Sequence, residues 1–179
     1  MGAHFESSCV DSRPESDAYR GGQLQTMDIE WIDPGPKVTP STLEIFEERF
    51  GWEIAPDLRW LLLNVVNGGS PSLRLIFPIE GLEGDDRMAL HGVCGIGHPQ
   101  DCYDLESSFE EFRKVLPFVQ PFAYDPLDGH LFVKTGLEPR GEICYMPWDQ
   151  KDDPFPENLY RVAGSMGEFL QALREDPAH

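Results

Sequence analysis

Residues 39–69 read TPSTLEIFEERFGWEIAPDLRWLLLNVVNGG, and two short helices can be drawn on them before the rest of the chain is considered. Thr39 is placed to cap the first, Pro40 suits its opening turn, and Ser41 with Glu44 offers a second capping register. Leu43, Phe46 and Phe50 recur at i, i+3 and i+7 as an apolar stripe, with Glu44, Glu47 and Glu48 on the wet face. Gly51 supplies a left-handed end. Pro56 and Asp57 open the second helix, Leu58, Leu61, Leu62 and Val65 form its stripe, and Asn67-Gly68-Gly69 stops it. Such a hairpin has an apolar face and nothing within itself to cover it.

Working outward from the hairpin, the cover is β-structure. Residues 73–79 and 90–96 are short apolar runs that read as strands. Residues 102–116 carry Leu105, Phe109 and Phe112 at helical spacing. Three further strands follow at 118–124, 130–134 and 142–148, with turn residues Asp128-Gly129 and Pro139-Arg140-Gly141 between them, the pattern of an antiparallel meander. A last strand at 159–162 leads to a closing helix capped by Ser165 and Glu168, with Met166, Phe169, Leu170 and Leu173 as its stripe. This order predicts an α+β fold: one mainly antiparallel sheet with the N-terminal helix pair and the C-terminal helix packed against one face. Residues 1–26 read as a flexible N-terminal extension, leaving 27–179 as one domain.

The charge is lopsided: 32 Asp and Glu stand against 14 Lys and Arg, a formal net charge of −18. That sign repels nucleic-acid phosphate and anionic lipid, both of which require a cationic face, and attracts basic proteins. No stretch approaches the ~20 apolar residues of a membrane span, and the polar N-terminus does not read as a secretory signal, so a cytoplasmic protein is expected. The four cysteines, Cys9, Cys94, Cys102 and Cys144, contain no C-x-x-C pair and read as reduced thiols.

His91, Cys94, His98 and Cys102 are good zinc-ligand types. On a strand, however, His91 and Cys94 point to opposite faces, and Gly92, Gly95 and Gly97 favour a tight strand over a zinc knuckle. Cys94 and Cys144 sit in apolar contexts that predict inert thiols. There is no G-x-S-x-G elbow and no phosphate-binding glycine loop. No cofactor and no catalytic or metal residue is expected. The informative features are two acidic loops. Glu80, Glu83, Asp85 and Asp86 follow the first apolar run; Asp149, Asp152, Asp153 and Glu157 follow Trp148, interleaved with Phe155. Neither has the spacing of a calcium loop. Carboxylates beside an apolar aromatic are the ingredients of a hot spot for a cationic partner.

The order of these segments resembles the SUKH superfamily, the Smi/Knr-type proteins. Thr39-Pro40, Phe50-Gly51, Ala55-Pro56 and Asn67-Gly68-Gly69 match its opening helix pair, with Ala55 where leucine is usual. Asp128-Gly129, Gly141, Tyr145, Trp148-Asp149 and the helix from Ser165 to Leu173 match its C-terminal half. The resemblance spans about residues 38–175 and implies a SUKH-like domain over 27–179 with no catalytic apparatus. It further implies an immunity protein that binds a cognate bacterial toxin, cationic as nucleases are, and neutralises it by occlusion. A regulatory scaffold or adaptor of the same fold is the alternative, in either case a monomer or weak homodimer. On this reading Glu83, Asp85, Asp86, Asp149, Asp152 and Asp153 are toxin-binding anion mimics and Phe155 is the apolar anchor. Trp148, Gly68 and Gly141 match family positions and are expected to be structural.

Overall fold

The computed structural model describes residues 28–84, 86–150 and 156–177. Both helices of the hairpin form, α1 over Pro40–Phe50 and α2 over Pro56–Asn64. Thr39 caps α1, but its capping-box partner is Thr42, not the Ser41–Glu44 register: Thr39 Oγ1 accepts from Thr42 N–H at 3.2 Å, and Thr42 Oγ1 accepts from Thr39 N–H at 3.3 Å. Gly51 ends α1 at φ 63°, as the sequence predicts. Glu47 leaves the wet face. Its carboxylate takes both oxygens to Arg59 Nη2 at 2.6 Å and one to Ile54 N–H at 2.8 Å, bracing the hairpin from within.

The strands are β1 Trp31–Ile32, β2 Ser70–Pro71, β3 Leu75–Pro78, β4 Arg87–Leu90, β5 Gly92–Val93, β6 Val119–Tyr124, β7 His130–Lys134, β8 Ile143–Met146, β9 Tyr160–Ala163 and β10 Arg174–Glu175; α3 spans Leu105–Phe112 and α4 Met166–Ala172. The class is α+β with antiparallel pairing, but the described strands divide into three sheets: β1-β2, β10-β3-β4, and the meander β5-β6-β7-β8-β9. The expected single sheet is broken at identifiable places. The run 87–93 bends at His91, so its first half pairs with β3 and its second with β6. β3 stops at Pro78, which has no N–H to continue the ladder. Single bridges, Gly69–Val93 and Glu80–Arg161, join what the bends separate.

Helices do not cover one face only. Alternation along β7 and β8 sends Leu131, Val133, Ile143 and Tyr145 into the main core, while Phe132, Cys144 and Met146 enter a second cluster. α3 straddles the divide, placing Phe109 in the main core and Phe112 in the other. Both faces of the central strands are therefore buried, which explains why β8 has no polar alternation.

Buried amides fix the hairpin to the sheet. Gln120, fully buried on β6, accepts from Ala55 N–H and donates to Glu53 C=O, both at 2.7 Å. Asn67 donates to Pro36 C=O at 2.8 Å and Ile96 C=O at 3.0 Å and accepts from Ile96 N–H at 2.7 Å. Close approach demands glycine there: a Cβ on Gly68, already at φ 79°, would lie 2.7 Å from His98, and one on Gly95 2.5 Å from Asn67. Gly68 is structural, as expected, and so is Gly141, whose φ of 82° would strain any side chain.

Candidate functional site

Glu83 of the first acidic loop and Asp149 at the start of the second, some seventy positions apart in the chain, line one hollow. Between the β3–β4 loop and the turn after β8 lies a hollow of about 810 Å³. Glu83 and Asp149 both line it, together with Met88, Tyr145 and Tyr160. Its position follows from the break between sheets, since β4, β8 and β9 each contribute a side chain where the small sheet turns away from the meander.

The framework of the hollow is tied down. Ile79 N–H donates to Asp86 C=O and Glu80 N–H to Arg161 C=O, both at 2.8 Å, closing the base of the first loop. Arg161 pairs with the Glu80 carboxylate and, at 3.2 Å, with Glu142 Oε2, while Lys134 Nζ holds Glu142 Oε1 at 2.5 Å. Arg161, next to Tyr160 of the lining, is thus neutralised internally, and Asp86 pairs with Arg87 at 3.1 Å. Among the described residues Glu83 and Asp149 form no ion pair, and no residue lining the hollow is cationic. On the third side, Asp125 is buried and gathers three donors: Leu127 N–H at 2.5 Å, Gly129 N–H at 3.0 Å and the Tyr145 hydroxyl at 2.5 Å. Burial first, and the Asp125 hydrogen bond second, push the Tyr145 phenol far above its usual range, so it remains a donor. This braced turn holds Leu127 out at 70% exposure.

Of the residues singled out in the sequence, Glu83 and Asp149 line the hollow and Asp86 closes the loop beside it. Asp85, Asp152, Asp153 and Phe155 lie outside the described residues. Trp148, expected to be structural, is 49% exposed and lines the hollow. The short 3-10 turn Trp148–Gln150 carries it outward immediately after Pro147. Leu127 was missed, although an apolar residue between Pro126 and Asp128 in a turn was the available signal.

The histidine and cysteine run does not converge. Both ring nitrogens of buried His98 are committed: Nε2 donates to Asp33 C=O at 2.9 Å and Nδ1 accepts from Gln100 N–H at 3.1 Å. His91 is exposed against Tyr124. Burial pushes the Cys94 and Cys144 thiols up to about 12, the inert state expected of them. Among the described residues no group of three or more His, Cys, Asp or Glu is placed to hold a metal ion, and no helix is long and apolar enough to cross a membrane.

No curated protein matches this chain. The sequence pattern of the SMI1 / KNR4 family (SUKH-1) matches residues 37–172, from the entry to α1 to the end of α4. That span contains every element around the hollow, and the chain belongs to the SMI1 / KNR4 family (SUKH-1).

Proposed function

We propose that this chain is an immunity-type protein that binds a cationic toxin domain through the acidic hollow and blocks it by occlusion, catalysing nothing itself. Family membership supports the role at the level of the family. The observation that carries the reading is that Glu83 and Asp149, from two sequence-distant acidic loops, line one hollow without forming an ion pair among the described residues, while Arg161, next to Tyr160 of the lining, is paired with Glu80 and Glu142. The surplus negative charge is therefore presented to a partner, and a net charge of −18 steers basic proteins toward it while repelling nucleic acid and anionic lipid. Exposed Trp148 and Leu127 supply the apolar contacts that charge alone lacks. Burying that surface leaves a phosphate-binding cleft on the partner filled by carboxylates. One chain suffices for this, acting in the cytoplasm where the toxin domain arrives.

The test is protection. The reading frame adjacent to this one is expressed in cells that it kills, with and without the present chain. Survival is expected with the natural chain and death with the Glu83→Lys, Asp149→Lys double variant produced at equal folded level. Cells that die despite abundant folded natural chain, when the adjacent product is toxic, overturn the proposal.

A further inference from the structure

We infer that Asn67 is a site of spontaneous deamidation, closed while the chain is folded and reactive when its junction opens, and that the product prevents the junction from closing again. The inference is independent of the hollow and of the partner proposed above.

Of the three asparagines in the chain, Asn64, Asn67 and Asn158, only Asn67 is followed by glycine. A glycine amide has no Cβ beside it and is the least hindered nucleophile the backbone offers to the preceding side chain. After Asn64 and Asn158 the side chains of Val65 and Leu159 crowd that attack. The reaction needs only water and hydroxide. Hydroxide takes the Gly68 amide proton and the nitrogen attacks Asn67 Cγ; the Cγ–Nδ2 bond breaks, and Nδ2 takes a proton from water and leaves as ammonia. Water then opens the cyclic imide at either carbonyl, to aspartate or to isoaspartate.

The fold closes the site in two ways. The Asn67 side chain is held by Pro36 C=O at 2.8 Å, Ile96 C=O at 3.0 Å and Ile96 N–H at 2.7 Å. Gly68 is buried, and its nitrogen would lie 2.6 Å from a Cβ on Gly95, so backbone rather than solvent covers it. Reaction therefore waits for the junction to open, at a rate set by the open fraction. The product does not fit back. An aspartate side chain sets oxygens with no hydrogen to donate against the Pro36 and Ile96 carbonyls, at a position only 5% exposed. His98 does not answer the charge, since its nitrogens are committed to Asp33 C=O and Gln100 N–H. Isoaspartate lengthens the main chain by a methylene where Gly35 N–H bonds Asn67 C=O at 2.8 Å and a Cβ on Gly95 would already lie 2.5 Å from Asn67. An opening that lasts long enough for reaction thus leaves a chain that cannot regain its fold. A partner that binds the folded chain lowers the open fraction and slows the loss.

The full chain is incubated at pH 8 in buffer and in guanidinium chloride, and deamidation is followed by peptide mass mapping with fragment ions that separate Asn67 from Asn64. In denaturant Asn67 is expected to react first of the asparagines; in buffer it is expected to react about a hundredfold more slowly. The part-reacted denatured sample is then diluted to refold, and the folded fraction is collected by size exclusion. Chains modified at Asn67 are expected to be depleted from that fraction about tenfold or more, while chains modified only at exposed Asn64 are retained. Equal rates at Asn67 in buffer and denaturant, or chains modified at Asn67 that refold as fully as intact ones, overturn the inference.

Discussion

Asn67 and Gln150 are both side-chain amides set where parts of the fold meet, and their surroundings differ in kind. Asn67 uses both donors and its acceptor on backbone groups, beside a histidine with both nitrogens occupied and glycines that allow backbone to touch backbone. Gln150 donates to the Tyr160 hydroxyl, but its buried oxygen has no donor among the described residues, beside carboxylates that form no ion pair among those residues and large apolar side chains facing water. Polar groups satisfied within the chain stabilise it. A buried acceptor left without a donor costs folding free energy, whereas exposed carboxylates without ion pairs cost little and are available to a partner.

The contrast predicts opposite responses to substitution. The largest effect is expected at the satisfied junction: Asn67→Ala strands the Ile96 N–H and two carbonyls in the interior and should cost about 3 kcal/mol in urea unfolding. Gln120→Leu fills similar volume but leaves Ala55 N–H and Glu53 C=O unanswered, for about 2 kcal/mol by the same measurement. A change below ~0.5 kcal/mol in both variants breaks the comparison. At the hollow the order reverses. Glu83→Lys with Asp149→Lys should leave the urea midpoint nearly unchanged and weaken partner binding at least tenfold by calorimetry, since both carboxylates are exposed and form no ion pair among the described residues.

The smallest effect is expected from the thiols and sharpens what buried means here. Cys94 and Cys144 hold their protons up to about pH 12 in the fold, whereas an ordinary thiol releases them near 9.0. The stability tied to them is fully present below pH 9 and is lost as pH rises from there toward 12, because the unfolded chain deprotonates first. Iodoacetamide at pH 8 should accordingly label exposed Cys102 in the native protein and reach Cys94 and Cys144 only on unfolding, as peptide mass mapping will show.

Legibility from the sequence followed the same division. The hairpin was readable because Thr39, Pro40, Gly51 and Pro56 act within a few residues of themselves, and local chemistry is what a sequence displays. The stripe of α3 and the Ser165 cap of α4 were readable for the same reason: Ser165 Oγ accepts from Glu168 N–H at 3.2 Å. The single sheet was not, because the bend at His91 and the halt at Pro78 are settled by which partner each half-strand finds. Glu47 was read by type, as wet, and Gln120 passed unremarked inside the 118–124 strand, yet their partners lie 12 and 65 or more positions away. Glu83 and Asp149 were found as members of charged loops; that both line one hollow, with Trp148 and Leu127 turned outward, depends on tertiary placement alone.

The central claim is that surplus carboxylates on this hollow recruit a basic protein. Stopped-flow association with the protein the chain protects against, measured across ionic strength, tests it most directly. The account predicts that association slows as salt rises, and that Glu83→Lys, Asp149→Lys slows it about tenfold at low salt and flattens its salt dependence. A rate indifferent to salt and equal in the two proteins contradicts it.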